Sequence, residues 1–257
     1  NLKKNTDFGI FEIGMDKKGE IYKLSKIVKP EIAIITNISA AHFKNFNTLK
    51  DIAKAKSEII DNITKDGNLI LNKDNKFFNF LKNKAKKNGI KVISYSAKKR
   101  ANVFILKVKK KNKKYRLKIS VNDKIFYFNT KIYTKSLASN ILACIATINV
   151  LALNLKKIEK KFLDFQIPSG RGDIKIVKKY KKKFKFIDES YNASPLSMTL
   201  AINNMKNFKI SKKSKKIILL SDMLELGKKS KKYHRELSKV INKSDVDKVF
   251  VYGNYIK

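Results

Sequence analysis

Four residues in the first quarter of this chain have types and spacings that could do chemistry: Glu12, Asn37, His42 and Lys56. Glu12 belongs to the end of one short apolar run, residues 8–13, and Asn37 and His42 follow a second, residues 31–36. Both runs read as buried parallel strands, and the helical pattern of residues 20–28 lies between them. Such strand–helix–strand units hold ligands beyond the carboxyl ends of their strands. A carboxylate and an imidazole on one rim of that kind point to a metal or phosphate site.

Lys56 raises a different question. Leu49, Ile52, Ala53, Ile59, Ile60 and Ile63 recur at the three- and four-residue steps of a buried helical face. Lys56 falls on that face, whereas Lys54 points roughly 200° round the helix, into solvent. A lysine on an apolar stripe snorkels, takes a carboxylate partner, or has been chemically changed. Snorkelling is the ordinary outcome on spacing alone. At pH 7 an unperturbed lysine is neutral in roughly one molecule in 2,500, and burial raises that fraction.

The elements that must position these residues follow from the rest of the chain. At 257 residues it can hold one large or two medium domains. Strands are expected at 68–71 and 91–94, with an amphipathic helix at 77–86 between them. From 103 to 133 the period changes to two, with turn signals at 111–112 and 122–123, which predicts a small antiparallel sheet. A long apolar helix at 137–153 and a second helix at 156–165 come next. Residues 167–173 (IPSGRGD) hold a proline and two of the nine glycines and read as a linker. Beyond it, strands at 184–188, 216–221 and 248–251 alternate with helices at 195–207 and 231–241, a second α/β unit. The fold class expected is α/β, with a mostly parallel central sheet, flanking helices and a small antiparallel sheet, followed by a partial Rossmann-like domain.

Net charge is +39, which in isolation invites a nucleic-acid reading. Yet only four of the 60 basic residues are arginines, and the lysines are spread along the whole chain. Scarce Gly, Pro and Trp beside abundant Lys, Asn, Ile and Phe fit an AT-rich coding sequence better than a dedicated nucleic-acid surface. No apolar run approaches a membrane span, and the lone Cys144 excludes a disulfide framework, so a cytoplasmic setting is expected.

EIGM, TNISAAHF and the AKAKSEI helix resemble the central ATPase domain of the Mur ligases, the ATP-dependent amino-acid and peptide ligases of peptidoglycan synthesis. The loops DESYNASP (188–195) and SDMLELG (221–227) resemble motifs of the family's C-terminal domain, and His234 stands where one subfamily places a histidine. The resemblance covers nearly the whole chain. It implies a central domain at 1–168, a hinge at 169–172 and a C-terminal domain at 173–257. It also implies ATP and Mg²⁺ as cofactors, with Glu12 and His42 at the metal and Lys56 adding an oxygen ligand once carbamylated. These three would form the catalytic set. Lys56 itself could not bind the metal, because an ammonium has no acceptor. Asn37, Asn140, Arg171, Asp188 and Asn192 would contact the nucleotide, and Asn72 and Asp74 would border its site. On chemistry alone Asn72 and Asp74 fit a polar turn, Arg171 an exposed turn, and Asp188, Asn192 and Pro195 a capped strand-to-helix turn.

The two C-terminal loops favour the member that joins D-alanyl-D-alanine to UDP-N-acetylmuramoyl-tripeptide, as a monomer with no membrane and no specific nucleic-acid partner. The alternatives are a sister ligase, such as folylpolyglutamate synthetase or the ligase adding the third peptide residue, and a basic nucleic-acid-binding protein. Departures accompany the matches. Thr134, Ser136 and Leu137 replace a Gly-x-His-Asn run before Asn140, Ser194 replaces an asparagine, and no G-x-x-G-K-[ST] phosphate loop occurs. With Asn1 in place of an initiator methionine, the expectation is an internal fragment of the ligase.

Overall fold

A computed structural model describes residues 5–40, 44–112, 114–131, 133–179, 181–211 and 213–257, and for 111, 135 and 136 the backbone alone. The chain forms two compact units, Asn1–Ile38 with Leu49–Asp164, and Ser39–Thr48 with Phe165–Lys257.

The first unit is built on one six-stranded sheet in the order β1 (Ile32–Ile35), β2 (Asn68–Asn72), β3 (Lys91–Ser96), β4 (Val103–Lys111), β5 (Lys114–Val121) and β6 (Lys124–Thr130). β1 to β4 pair in parallel, and β4 to β6 form the antiparallel meander that the period-two pattern predicts. Tyr95 opposite Val103 and Ser96 opposite Phe104 join the meander to the parallel half, so the two share one sheet. The β5–β6 turn has positive φ at both Asn122 (47°) and Asp123 (64°), a conformation that Asn and Asp adopt more readily than most residues.

Helix α1 spans Glu20–Val28, α2 Leu49–Lys56, α3 Phe78–Lys87, α4 Lys135–Val150 and α5 Leu155–Ile158. The helical pattern after Leu49 tightens into a 3-10 turn at Ser57–Asn62. Thr134 caps α4 by accepting the Leu137 N–H through its hydroxyl at 3.1 Å. Leu142, Ile145 and Ala146 of α4 are fully buried in a cluster with Ile70, Tyr95, Val103, Leu117, Ile119 and Phe128 from β2 to β6. Each large apolar side chain removed from water in this way contributes roughly 1.5–3 kcal/mol.

Residues 8–13 do not form the strand that their apolar run predicts. Ile10 is 97% exposed, and Phe8 and Phe11 are about half exposed. An apolar run becomes a strand only where a neighbour takes its backbone N–H and C=O groups. Among the described residues β1 pairs with β2 alone, so no ladder includes residues 8–13. Only the helix and second strand of the expected strand–helix–strand unit are present. The helix expected at 156–165 is also shorter, α5 being followed by a 3-10 turn at Lys161–Leu163.

In the second unit β7 (Asp173–Lys179) and β8 (Lys182–Asp188) form an antiparallel hairpin, and β9 (Ile217–Ser221) pairs in parallel with β10 (Lys248–Tyr252). Strand β7 was not among the strands expected beyond the linker. Its residues are largely exposed, and backbone pairing with β8 makes the strand. Helix α6 (Pro195–Asn204) opens with a reciprocal cap between Ser194 and Ser197 and carries Pro195 in its first turn. Helix α7 (Ser230–Asn242) buries Ser230, His234 and Leu237.

Gly67 links the first unit's loops to β2. Its N–H donates to the Thr64 carbonyl at 2.9 Å, and its own carbonyl accepts from Lys91 N–H at 3.3 Å. A Cβ there would lie 2.8 Å from both the Glu31 and Thr64 carbonyl oxygens. Gly67→Ala should therefore cost roughly 1–3 kcal/mol in urea-induced unfolding, as overpacking against backbone does. Unchanged stability would mean that this turn relaxes freely.

Candidate functional site

The parallel register sets the geometry of the first unit's rim. Ile35 lies opposite Leu71, Leu71 opposite Ser94 and Asn72 opposite Tyr95, so β1, β2 and β3 end level with one another. Just past β1, the Thr36 carbonyl accepts hydrogen bonds from the Tyr95 hydroxyl at 3.2 Å and from Asn72 Nδ2 at 3.3 Å. Asn72 Nδ2 also donates to Ser139 Oγ at 3.3 Å, and Asn72 Oδ1 accepts the Asp74 N–H at 2.9 Å. Asp74 in turn accepts from Ser96 Oγ at 2.7 Å and Ala97 N–H at 2.8 Å. Burial pushes the Tyr95 phenol up to about 12, so it stays a neutral donor at physiological pH.

Asn37 follows directly and is half-buried; its Oδ1 accepts from Asn75 Nδ2 at 2.6 Å. Asn140 is exposed on α4, next to Ser139. The rim thus brings Asn37, Asn72, Asn75, Tyr95 and Ser139 into hydrogen-bonded contact, with Asn72 and Asp74 committed to protein partners as a polar turn would be. Sequence reasoning missed Tyr95, Asn75 and Ser139. For Asn75 and Tyr95 the only trace in the sequence is the presence of polar residues at the ends of three predicted strands, in TN, NKDN and SYS, and Ser139 on α4 leaves none.

Lys56 ends α2, half-buried, while Lys54 is exposed. Burial lowers the Lys56 ammonium from the ordinary lysine range, which raises the fraction of neutral amine above that of a surface lysine. Glu12 is exposed on the irregular segment before α1, and His42 lies outside the described residues. Among the described residues no three His, Cys, Asp or Glu side chains gather to hold a metal ion. A magnesium ion, however, commonly takes only one or two carboxylates and completes its shell with water and phosphate oxygens. Glu12 is compatible with that sparse mode.

In the second unit, the turn before β7 is ordered by hydrogen bonds from its backbone N–H groups. Gly170 N–H donates to Asp173 Oδ1 at 2.7 Å, Gly172 N–H to the Asp188 carbonyl at 2.6 Å, and Tyr191 N–H to the Gly170 carbonyl at 3.0 Å. Gly170 and Gly172 have φ of 75° and 95°, the left-handed region that favours glycine. The Arg171 guanidinium stacks over the Tyr191 ring at 4.0 Å. At the end of β8, the Ser190 hydroxyl at 2.6 Å and then its N–H at 3.1 Å hold the Asp188 carboxyl below the usual carboxylate range. Glu189 moves the other way, raised first by burial and then by Asp188 and Asp173. Asn192 is exposed in the turn before α6.

The SDMLELG loop is held by His234. The imidazole Nδ1 lies 2.8 Å from the Ser230 carbonyl, which can only accept, so Nδ1 carries the proton. Nε2 is then free to accept the Met223 N–H at 2.9 Å. Asp222 accepts backbone N–H groups from Asn254, Tyr255 and Ile256 at 2.7–3.0 Å. Met223 and Leu226 are buried, leaving Leu224 exposed between them.

Two measurements follow from this geometry. A lysine whose folded pKa is depressed binds fewer protons folded than unfolded, so stability should rise with pH from the folded value up to about 10.4, the unfolded one. Urea titrations across that window should show the rise in the wild type and a flatter profile in Lys56→Met; identical profiles would place Lys56 in solvent. His234→Ala leaves the buried Met223 N–H without its acceptor and should cost roughly 1–3 kcal/mol. His234→Gln offers a carboxamide oxygen near the Nε2 position and should cost clearly less. Equal losses from both would show that Nε2 does not hold the loop.

Comparison with known proteins agrees with this architecture. The Mur ligase middle domain matches residues 1–148, and the Mur ligase, glutamate ligase domain matches residues 174–256. A UDP-N-acetylmuramoyl-tripeptide--D-alanyl-D-alanine ligase of Rickettsia prowazekii (strain Madrid E) is 31% identical over 261 residues, covering 100% of this chain and 56% of its own. The ligase of the same name from Bacillus subtilis (strain 168) is 29% identical over 252 residues, covering 98% of this chain and 52% of its own. A crystal structure of MurF from Acinetobacter baumannii superposes with a TM-score of 0.87 at 26% identity, over 99% of this chain and 53% of that one. The chain spans about half the length of the curated relatives it matches. With its middle-domain match covering more than half of its residues, this chain belongs to the Mur ligase family.

Proposed function

We propose that the protein carrying this chain is an ATP-dependent ligase of peptidoglycan precursor synthesis that joins D-alanyl-D-alanine to UDP-N-acetylmuramoyl-tripeptide. The observation that carries this reading is the alignment of the whole chain with ligases of that name, both domain models matching in order. SDMLELG and DESYNASP support the same specificity. The reading includes a cytoplasmic monomer; among the described residues no helix is long and apolar enough to cross a membrane.

The reaction has two steps. A carboxylate oxygen of the tripeptide attacks the γ-phosphorus of ATP; the new O–P bond replaces the bond to ADP, which leaves. The amine of D-alanyl-D-alanine then attacks the acyl carbon, the C–N bond forms, phosphate departs and the amine loses a proton. Bound magnesium supplies neutralisation of charge on the transferring phosphoryl group. Glu12 and His42 would hold it, and a carbamylated Lys56 would add a carboxylate oxygen. The depressed Lys56 pKa supports this role, because only the neutral amine can add carbon dioxide. Asn37, Asn140, Arg171, Asp188 and Asn192 are assigned to the nucleotide. The division into 1–168, 169–172 and 173–257 belongs to the same proposal.

In a protein carrying this chain together with a phosphate loop, Lys56→Ala should remove nearly all ligase turnover, and short carboxylic acids in the buffer should restore part of it. Lys54→Ala should change stability by no more than about 0.5 kcal/mol and leave turnover alone. Loss of turnover in Lys54→Ala with retention in Lys56→Ala would reverse the assignment. The 257 residues alone, which contain no G-x-x-G-K-[ST] motif, should show no ATP turnover; measurable turnover would sink the requirement for that loop.

A further inference from the structure

The side-chain amides at the end of β1 have a direction that can be deduced from backbone donors and acceptors alone. Asn75 sits in the turn before α3, its N–H donating to the Asn72 carbonyl at 3.2 Å and its carbonyl accepting the Phe78 N–H at 3.0 Å. Its side-chain Oδ1 accepts the Phe77 N–H at 3.0 Å. A backbone N–H can only donate, so the atom facing it must be oxygen, and the other end of the Asn75 amide must be Nδ2. That nitrogen lies 3.1 Å from the Ile38 carbonyl, which can only accept, in agreement with the assignment. The remaining Asn75 Nδ2 hydrogen meets Asn37 at 2.6 Å, so the Asn37 atom there must be Oδ1. The two N–H groups of Asn37 Nδ2 therefore face away from Asn75, and among the described residues they have no partner.

We propose that Asn75 is a positioning residue, which locks Asn37 with its NH₂ group outward as a neutral two-proton donor for a phosphate-type oxyanion of the nucleotide. The ligand half rests on the nucleotide reading above. A free asparagine flips between donor and acceptor faces, and a flipped Asn37 would set its carbonyl oxygen against an anionic oxygen. Fixing the flip removes that unfavourable state without adding a charge to the rim. Asn75 touches no ligand in this account and acts through Asn37.

The amide order can be read without any ligand. Asn37→Asp keeps an oxygen opposite Asn75 Nδ2 and should melt close to the wild type. Asn75→Asp sets a carboxylate oxygen against the Ile38 carbonyl, which cannot flip, and should lower the melting temperature by several degrees or prevent folding. The reverse pattern, with Asn75→Asp tolerated and Asn37→Asp not, overturns the assignment. The consequence for binding is tested with ADP as the probe, in the protein that carries this chain with its phosphate loop. Asn37→Asp should weaken ADP binding by about tenfold or more, since a carboxylate replaces the donor. ADP should also shift the Asn37 side-chain NH₂ resonances of the wild type. Wild type that binds ADP, with Asn37→Asp unaffected, overturns the positioning role alone. Wild type that binds no ADP overturns the nucleotide reading and the ligand half with it, while the melting comparison still decides the amide order.

Discussion

The Thr36 carbonyl, one residue beyond β1, accepts from both the Tyr95 hydroxyl and Asn72 Nδ2, and the polar rim of the first unit is assembled around that oxygen. A parallel strand leaves backbone groups without ladder partners where it ends, and these are taken up by side chains or water. Here side chains from β2 and β3 supply the donors because the register brings all three strand ends level. The same requirement places Ser139 beside Asn72 and commits the NKDN segment to a tight turn. Asn37, two residues past the end of β1, spends its Oδ1 on Asn75 and keeps the hydrogens of its Nδ2.

Much of the fold was legible because periodicity reports one-dimensional constraints. The period-two stretch became β4–β6, the apolar runs at 68–71 and 91–94 became β2 and β3, and the stripe through Ile52 separated a half-buried Lys56 from an exposed Lys54. Residues 8–13 show the limit of that reasoning. Apolarity says that a segment can be buried, and pairing depends on what runs beside it. Strand β7 fails in the opposite sense: lysines hide a strand whose existence depends on its hairpin partner. Tyr95, Asn75 and Ser139 could not be found from local pattern, since their partners lie 38 to 67 residues away in sequence. The catalytic set Glu12, His42 and Lys56 came from resemblance and chemistry together, and only the burial of Lys56 is a feature that spacing alone had pointed to.

The charge of the chain has a structural side as well. With 60 lysines and arginines against 21 acidic residues, few carboxylates are available as partners. Several of these carboxylates are engaged by backbone N–H groups. Asp222 takes three, Asp74 takes one beside the Ser96 hydroxyl, and Glu58 accepts from Gly19 and Tyr22. Lys216 is the buried exception, pairing with Asp245 and donating to the Met205 carbonyl. Exposed ion pairs contribute little in any case, usually below about 1 kcal/mol. Order at the loops therefore rests on carboxylate–amide contacts more than on charge pairing, and salt should affect it weakly.

Residues Ser39–Thr48 belong to the second unit although the chain on either side of them belongs to the first. Lys44 N–H donates to the Glu225 carbonyl at 2.9 Å, and Lys229 Nζ donates to the Asn47 carbonyl. The gene's linear order and the protein's compact units consequently disagree over ten residues. A second unit expressed from Phe165 onward would leave the Glu225 carbonyl without the Lys44 N–H and the Lys229 ammonium without Asn47. A first unit ending at Asp164 would lack the Glu225 carbonyl that Lys44 N–H meets and the Lys229 ammonium that the Asn47 carbonyl meets. The polypeptide can be divided cleanly by no single cut, which makes it one heritable piece even where it is two compact bodies.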